Sequence, residues 1–192
     1  MTTDAPTLPE KVVSLAHALE ESELPFAFGG ALALAYYAEP RATVDIDVNV
    51  FVSPQAFRTV VKALEPLGVE ATDADRRSAL RDGQVRLWWG NTPVDLFFAT
   101  DDFHSRAARR TRLVPFGDDT IRVLAAEDLL VCKAVFDRRK DWIDIEQVLL
   151  LTAGTLDLAE VRRWLVAIVG AGDARGVRFE AAVREVLGDQ PA

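Results

Sequence analysis

Cysteine and histidine are scarce in this 192-residue sequence, and their scarcity excludes several kinds of site. The single cysteine, Cys132, has no second cysteine with which to form an internal disulfide, and Cys-x-x-Cys metal sites are excluded by counting. The two histidines, His17 and His104, lie far apart in the sequence, which disfavours a catalytic histidine. Such sparse cysteine usage fits a reducing compartment, and we expect a cytoplasmic protein.

Long apolar runs are missing as well. The chain starts MTTDAPTLPEKVV, with no apolar stretch after a basic segment, and charges interrupt the later apolar runs. We therefore expect neither a secretory signal peptide nor a membrane-spanning segment. The 49% apolar content at this length predicts one compact domain, or a core with a small appendage, and excludes disorder for most of the chain.

The charge is unevenly distributed. The net charge of −8, from 22 basic and 30 acidic residues, argues against a protein that coats nucleic acid through charge alone. The segment from Arg76 to Lys140, however, contains 13 basic and 9 acidic residues. This segment either provides a basic surface for a polyanionic substrate or consists of solvated helix faces.

The first half of the chain shows a pattern of alternating helices and strands. Spaced apolar residues predict a helix over 8–23, and a short apolar strand over 24–28 then ends at Gly29-Gly30, followed by a helix over 31–37. Apolar and polar residues alternate over 44–52, as in a half-buried strand.

Two hairpins and several helices are predicted further along. A helix begins at Ser53-Pro54, the polar segment 72–81 is expected to be an exposed loop, and a basic helix is expected over 101–111. The hairpins comprise 84–89 with 94–99, joined by 90–93, and 113–123 around Gly117-Asp118.

The last third has little β character. Its patterns predict helices over 125–152, with a possible break, 156–170 and 175–187. We expect an α/β core over 1–123 and a helical C-terminal subdomain over 124–192.

The strongest local signal is Asp45-Ile46-Asp47 on an otherwise apolar strand. Residues two apart point to the same side of a sheet, where two carboxylates repel each other unless a cation lies between them. Mg²⁺ accepts one or two carboxylates together with phosphate oxygens. The alternative is the polar, solvent-facing side of an edge strand.

Two further features accompany this pair. Glycines between a strand and a helix, as at Gly29-Gly30, let the backbone approach a phosphate closely, although such turns are often plain connections. Asp95 lies in a second apolar strand, so it would sit beside Asp45 and Asp47 if the strands are neighbours. Three carboxylates on adjacent strands suit metal-assisted nucleotidyl transfer, with Asp95 also a candidate base for the acceptor hydroxyl.

Lys133 falls on the apolar stripe of the predicted helix and needs an anionic partner. Asp137, one helical turn later, is one candidate, and a nucleotide phosphate is the other. Asp141 and Asp144 follow, and on a continuous helix Asp144 would return to nearly the same face as Lys133. One of these two aspartates would support the site.

Together these residues resemble the nucleotidyltransferase superfamily and, within it, the AbiEii/MenT-type toxins of bacterial toxin–antitoxin systems. The resemblance covers residues 25–150, and its motifs are Gly29-Gly30, the string Arg41-x-Thr43-x-Asp45-x-Asp47, the apolar-flanked Asp95, and Glu127-Asp128-Leu129 followed by Lys133, Arg138, Lys140-Asp141 and Asp144-Ile145.

The resemblance implies an α+β fold, in which a mixed β-sheet is flanked by helices and followed by a helical C-terminal part. It implies that Asp45 and Asp47 bind Mg²⁺ and that an NTP is the nucleotide donor. Nucleotide-binding roles would fall to Gly29, Gly30, Arg41, Thr43, Lys133 and Asp141. Asp144 or Asp141 would be the late acidic residue, and the catalytic set would be Asp45, Asp47, Asp95, Lys133 and Asp144.

By the same resemblance, the chain is expected to be a toxin that transfers a nucleotide to the 3′ end of tRNA, with a possible antitoxin partner. One alternative is a nucleotidyltransferase of the antibiotic-modifying type, whose cationic or neutral acceptor would suit an acidic protein. The other is a non-catalytic partner or antitoxin with the same fold, and the complete set of carboxylates argues against it.

Overall fold

The computed structural model describes residues 5–188, which form two compact units. The first contains the described residues up to Leu32 together with Ala42–Leu124. The second contains Ala33–Arg41 and the described residues from Ala125 onward.

The first unit is built on a mixed sheet. Its strands are β1 Phe26–Phe28, β2 Ile46–Val50, β3 Val69–Glu70, β4 Gln84–Trp89, β5 Thr92–Phe98, β6 Arg112–Phe116 and β7 Asp119–Val123. Their order is β3-β4-β5-β2-β1-β7-β6, with β2 parallel to β5, β1 parallel to β7 and the other neighbours antiparallel. The expected mixed sheet and both hairpins are confirmed.

The first unit also contains helices, and one of them packs on a face of this sheet. Those that follow or precede its strands are α1 Leu8–Glu21, α3 Phe57–Leu64, α4 Asp73–Asp82 and α5 Asp102–Ala108, and a short helix α2, Gly30–Leu34, follows β1. Val48 and Phe98 are buried, and the Phe98 ring packs 6.2 Å from that of Phe57 on α3. Because side chains alternate along a strand, Asp47 and Asp95 project from the other face.

The second unit is helical. It contains α6 Ala126–Phe136, α7 Arg139–Leu151, α8 Leu158–Val169 and α9 Ala174–Leu187. Leu130, Ile145, Val161 and Phe179 are fully buried, one from each helix. Throughout residues 5–188, the structure contains no helix with the length and apolar character needed to cross a membrane.

The expectation of an exposed loop over 72–81 is wrong, because α4 occupies this segment. Thr72 accepts a hydrogen bond from the backbone N–H of Asp75 at 3.2 Å, and the Asp75 carboxylate accepts one from the Thr72 N–H at 2.8 Å. This capping box starts the helix, and Gly83 ends it in the left-handed conformation (φ 69°). The helix buries only Ala79 and therefore lacks the apolar stripe on which sequence patterning depends.

The turn of the first hairpin is two residues shorter than expected. Residues 90–93 were expected to connect the strands, but Trp89 pairs with Thr92, and Thr92 and Pro93 belong to β5. Gly90 takes a positive φ of 59°, which permits a two-residue turn. This register places Arg86 opposite Asp95.

The predicted helix over 125–152 breaks at Asp137. This residue adopts the left-handed conformation (φ 55°) and separates α6 from α7. Lys133 and Asp144 therefore do not lie on one continuous helix, and any contact between them must cross the break.

Removal of the α4 cap should destabilise the protein. We expect Thr72→Ala to lower the free energy of unfolding by about 1 kcal/mol, since the first-turn amide of Asp75 loses its acceptor. Urea denaturation followed by circular dichroism measures the change. Thr72→Ser keeps the hydroxyl and should remain close to wild type, and equal stability of the two variants would contradict this role of the cap.

Candidate active site

Two aspartates of the first unit are neighbours across parallel strands. Asp47 on β2 and Asp95 on β5 occupy matching register positions. The residues on either side of them, Ile46 and Val48 on β2 and Val94 and Leu96 on β5, are buried on the other face of the sheet. Parallel pairing therefore brings together two carboxylates that are 48 positions apart in the sequence.

Arg86 on β4 lies opposite Asp95, so Arg86, Asp95 and Asp47 form a row across three neighbouring strands. Its Nε donates to Asp95 Oδ1 and its Nη2 to Asp95 Oδ2, both at 2.7 Å, and the same Nη2 lies 3.8 Å from Asp45 Oδ2. The hydrogen bonds to Asp95 raise the pKa of Arg86, and the charges of Asp45 and Asp47 act in the same direction. The guanidinium is a permanent cation among these carboxylates.

In the sequence alone, Arg86 is one of the basic residues between Arg76 and Lys140, and nothing marks it as part of the site. The hairpin register carries the missing signal, because a two-residue turn at Gly90-Asn91 pairs position 86 with position 95. The longer connection over 90–93 would have placed Trp88 opposite Asp95 instead.

Thr43 positions Asp45, which lies just before β2. The Thr43 hydroxyl donates to the Asp45 carboxylate and also lies 3.2 Å from the Asp45 carbonyl oxygen. In this structure the hydroxyl thus contacts a carboxylate of the site, and the predicted contact of Thr43 with a nucleotide stays a prediction.

The glycine turn packs directly against Asp47. The Gly29 N–H donates to the Asp47 carbonyl at 2.9 Å, and a Cβ at that position would lie 2.7 Å from the Asn49 side-chain nitrogen. Gly30 has a φ of 51°, and a Cβ there would collide with the Asp47 carboxylate. Gly30 therefore needs to be glycine so that Asp47 can lie over the turn, whereas a side chain at Gly29 would crowd Asn49.

Asp45, Asp47 and Asp95 offer carboxylate oxygens, which are the ligands that Mg²⁺ and similar hard divalent cations prefer. Among the residues that the structure describes, no three histidine, cysteine or acidic side chains are grouped closely enough to hold a metal. Asp45 and Asp47 fit such an ion, whereas Arg86 occupies both oxygens of Asp95.

The second unit contains a buried charge cluster. Lys133 Nζ on α6 donates to Asp144 Oδ2 on α7 at 2.6 Å and lies 3.8 Å from Asp141 Oδ1. Arg41 contacts the same Asp144 oxygen at 3.3 Å, and Arg138 donates to Asp141 at 2.6 Å. Each aspartate is thus held by lysine and by one arginine.

Asp137, one of the two candidate partners of Lys133, does not pair with it. Asp137 adopts the left-handed conformation that ends α6, and its carboxylate accepts a hydrogen bond from Trp142 Nε1 at 2.6 Å. Since Lys133 donates instead to Asp144, the helix reversal supplies its anionic partner.

Loss of the Lys133 charge should destabilise the second unit strongly. We expect Lys133→Met to cost about 3–5 kcal/mol of unfolding free energy, since Asp141 and Asp144 would stay buried without their shared cation. Chemical denaturation of Lys133→Met, Asp144→Leu and the double variant measures their coupling. The double variant should be more stable than additive costs predict, and strict additivity would contradict the pairing.

Solved structures similar to this chain share its fold. The antibiotic-resistance factor ANT(2″)-Ia matches with a TM-score of 0.55 and 16% identity, over 91% of this chain and 94% of that one. Its complex with adenylyl-2″-tobramycin matches with a TM-score of 0.53 and 15% identity, over 94% and 98% of the two chains. At these identities the likeness shows the fold alone. A search of curated proteins finds no match.

The family assignment comes from the sequence. Residues 14–187 match the family described as the nucleotidyl transferase AbiEii toxin of type IV toxin–antitoxin systems. The match includes the carboxylate row, the glycine turn and the helices α6 and α7. The chain therefore belongs to the AbiEii family of nucleotidyl transferase toxins.

Proposed function

We propose that the chain is a Mg²⁺-dependent toxin that transfers a nucleotide from an NTP to the 3′ end of tRNA. The observation that carries this proposal is the placement of Asp47 and Asp95 side by side on parallel strands, with Asp45 next to them. Nucleotidyltransferases generally use a divalent metal, and the family places the chain among toxins.

The first unit supplies the groups for the chemical step. Asp45 and Asp47 would hold Mg²⁺, which would supply positive charge to the phosphate oxygens. Thr43 keeps the Asp45 carboxylate in place. Asp95 would be the third metal ligand, for which Arg86 would have to release one of its oxygens, and it is the candidate base that accepts the proton of the acceptor hydroxyl.

In the transfer itself, the acceptor oxygen attacks the α-phosphorus of the NTP. A new P–O bond forms, the bond to the β-phosphate breaks, and pyrophosphate leaves with its electron pair. The residues of the first unit thus orient the phosphate and take up one proton, and the NTP brings all the energy of the reaction.

The other nucleotide contacts stay predictions from the resemblance. They assign the nucleotide to Gly29, Gly30, Arg41, Thr43, Lys133 and Asp141, with Asp144 as a catalytic acid residue. Within the second unit, Arg41 and Lys133 both bind Asp144, so these residues would act in part by fixing one another.

Exposed arginines support a tRNA acceptor. Arg106 on α5, Arg109 after it and Arg112 at the start of β6 are exposed in a segment that is locally basic. Phosphate contacts from such residues are sensitive to salt and blind to sequence. An acceptor of the antibiotic type is the second candidate, since the net charge of −8 favours a cationic molecule.

Replacement of the paired aspartates tests the transfer. Purified protein is incubated with Mg²⁺, each labelled NTP in turn, and total tRNA. We expect Asp45→Asn/Asp47→Asn to reduce labelling of tRNA at least about 100-fold, because the charge that develops on the phosphate loses its counter-ion.

Asp118→Asn is the matched control, because Asp118 is exposed in the turn between β6 and β7. It should label tRNA as the wild type does. Labelling that persists without Asp45 and Asp47 would contradict the assigned site. Nucleotide binding without labelled tRNA would favour a small-molecule acceptor.

Charge reversal tests the acceptor surface. We expect Arg106→Glu/Arg109→Glu/Arg112→Glu to reduce tRNA labelling about 10-fold or more and to flatten its dependence on salt, since phosphate contacts are lost. Arg184→Glu, an exposed arginine of α9, serves as the control. Unchanged tRNA labelling in the triple variant would remove this surface from the proposal.

A further inference from the structure

Arg86 occupies a place in the carboxylate row that a metal ion also needs. Its two hydrogen bonds to Asp95 are both 2.7 Å long, one to each carboxylate oxygen, and it lies 3.8 Å from Asp45. Such a fork, in which two guanidinium nitrogens each donate to one carboxylate oxygen, is among the strongest contacts between a carboxylate and a side chain. In the structure, the positive charge that balances Asp95 therefore comes from the protein itself.

The sheet register holds this cation in line with the aspartates. Arg86 pairs with Asp95 across β4 and β5, and Asp95 pairs with Asp47 across β5 and β2. Neighbouring strands lie about 4.8 Å apart, so an ion that binds Asp47 and Asp95 together must lie within a few ångströms of the guanidinium. A single and a double positive charge at that distance repel each other.

Arg86 is the accessible member of this pair. Its side chain is 51% exposed, whereas that of Asp95 is 16% exposed. The guanidinium stands on a long, flexible stem at the surface, and hydration compensates part of the loss when it leaves the carboxylate.

We propose that Arg86 and a divalent cation compete for Asp95, so that Arg86 is the built-in counter-ion of the metal-free site and a positioning residue for Asp95. This inference rests on the proposed metal-dependent function. Without metal, the fork neutralises Asp95 and holds its carboxylate in place. When metal binds Asp45, Asp47 and Asp95, the fork gives up at least one Asp95 oxygen.

The test measures binding of Mn²⁺ alone, by titration calorimetry on the full chain without nucleotide. We expect Arg86→Gln to bind Mn²⁺ about 10-fold more tightly than the wild type, because a nearby positive charge is removed. Arg86→Lys keeps the charge but loses the fork, so its affinity should fall between the two. Arg122→Gln, on β7, removes an exposed arginine that lies 3.9 Å from Glu20 and should leave the affinity unchanged.

Thermal unfolding gives a second measurement on the same variants. Arg86→Gln should unfold at a lower temperature than the wild type in EDTA, where its carboxylates repel each other without a cation. Its gain in melting temperature on addition of Mn²⁺ should exceed that of the wild type, which also shows that the variant is folded.

The outcomes separate this inference from the proposed function. Mn²⁺ binding that requires Asp45 and Asp47 but is equal or weaker in Arg86→Gln would overturn the competition and leave the metal-dependent function standing. If neither the wild type nor folded Arg86→Gln binds Mn²⁺ through Asp45 and Asp47, the proposed function and the inference both fail.

Discussion

The side-by-side pairing of β4, β5 and β2 fixes Arg86, Asp95 and Asp47 in one row, and the electrostatics of the first unit depend on that row. The row exists because one face of these strands is apolar and buried, which leaves the other face to the polar residues. Burial of Val48 and Leu96 thus determines where the charges lie. Ordinary aliphatic side chains in the core therefore determine the positions of the charged groups in the row.

The surrounding backbone is adapted to Asp47 in particular. Gly30 leaves room for its carboxylate, and the Gly29 N–H binds its carbonyl oxygen. Gly30 needs no bound phosphate to account for it, because the contact with Asp47 already requires a residue without a side chain. A role toward phosphate would add to this structural requirement.

The two charge clusters differ in how they are balanced. In the first unit, Asp45, Asp47 and Asp95 exceed the charge of Arg86, and the aspartates are partly accessible. In the second, Lys133, Asp141 and Asp144 are almost completely buried and closed by two arginines. An excess of negative charge that faces solvent can receive a cation, whereas in the buried cluster three cations already surround two carboxylates, and these contacts join α6 to α7.

Much of the fold follows from local patterns in the sequence. Alternation identified β2, the glycine pair marked the end of β1, and turn residues identified both hairpins. Acids in apolar strands are costly, so Asp45, Asp47 and Asp95 stand out in the sequence as candidate site residues. The α4 helix was missed because a capping box holds it with little burial.

Local sequence patterns do not reveal features that depend on which residues pair across strands or helices. Arg86 was missed because an error of two residues in the turn changes which residue faces Asp95. The sequence left Asp137 open as a partner of Lys133, but Asp137 breaks the helix in a conformation that is uncommon for a residue with a side chain, and Asp144 is the partner instead. Strand register and chain reversal are set by tertiary packing, which no single segment displays.

The reversal at Asp137 bears on the order in which the second unit folds. Lys133 and Asp144 are only 11 residues apart, so their contact closes a short loop at a small cost in chain entropy. Contacts of α6 with α8 and of α7 with α9 join more distant segments. We expect the α6–α7 hairpin to be the low-contact-order nucleus on which the last two helices assemble.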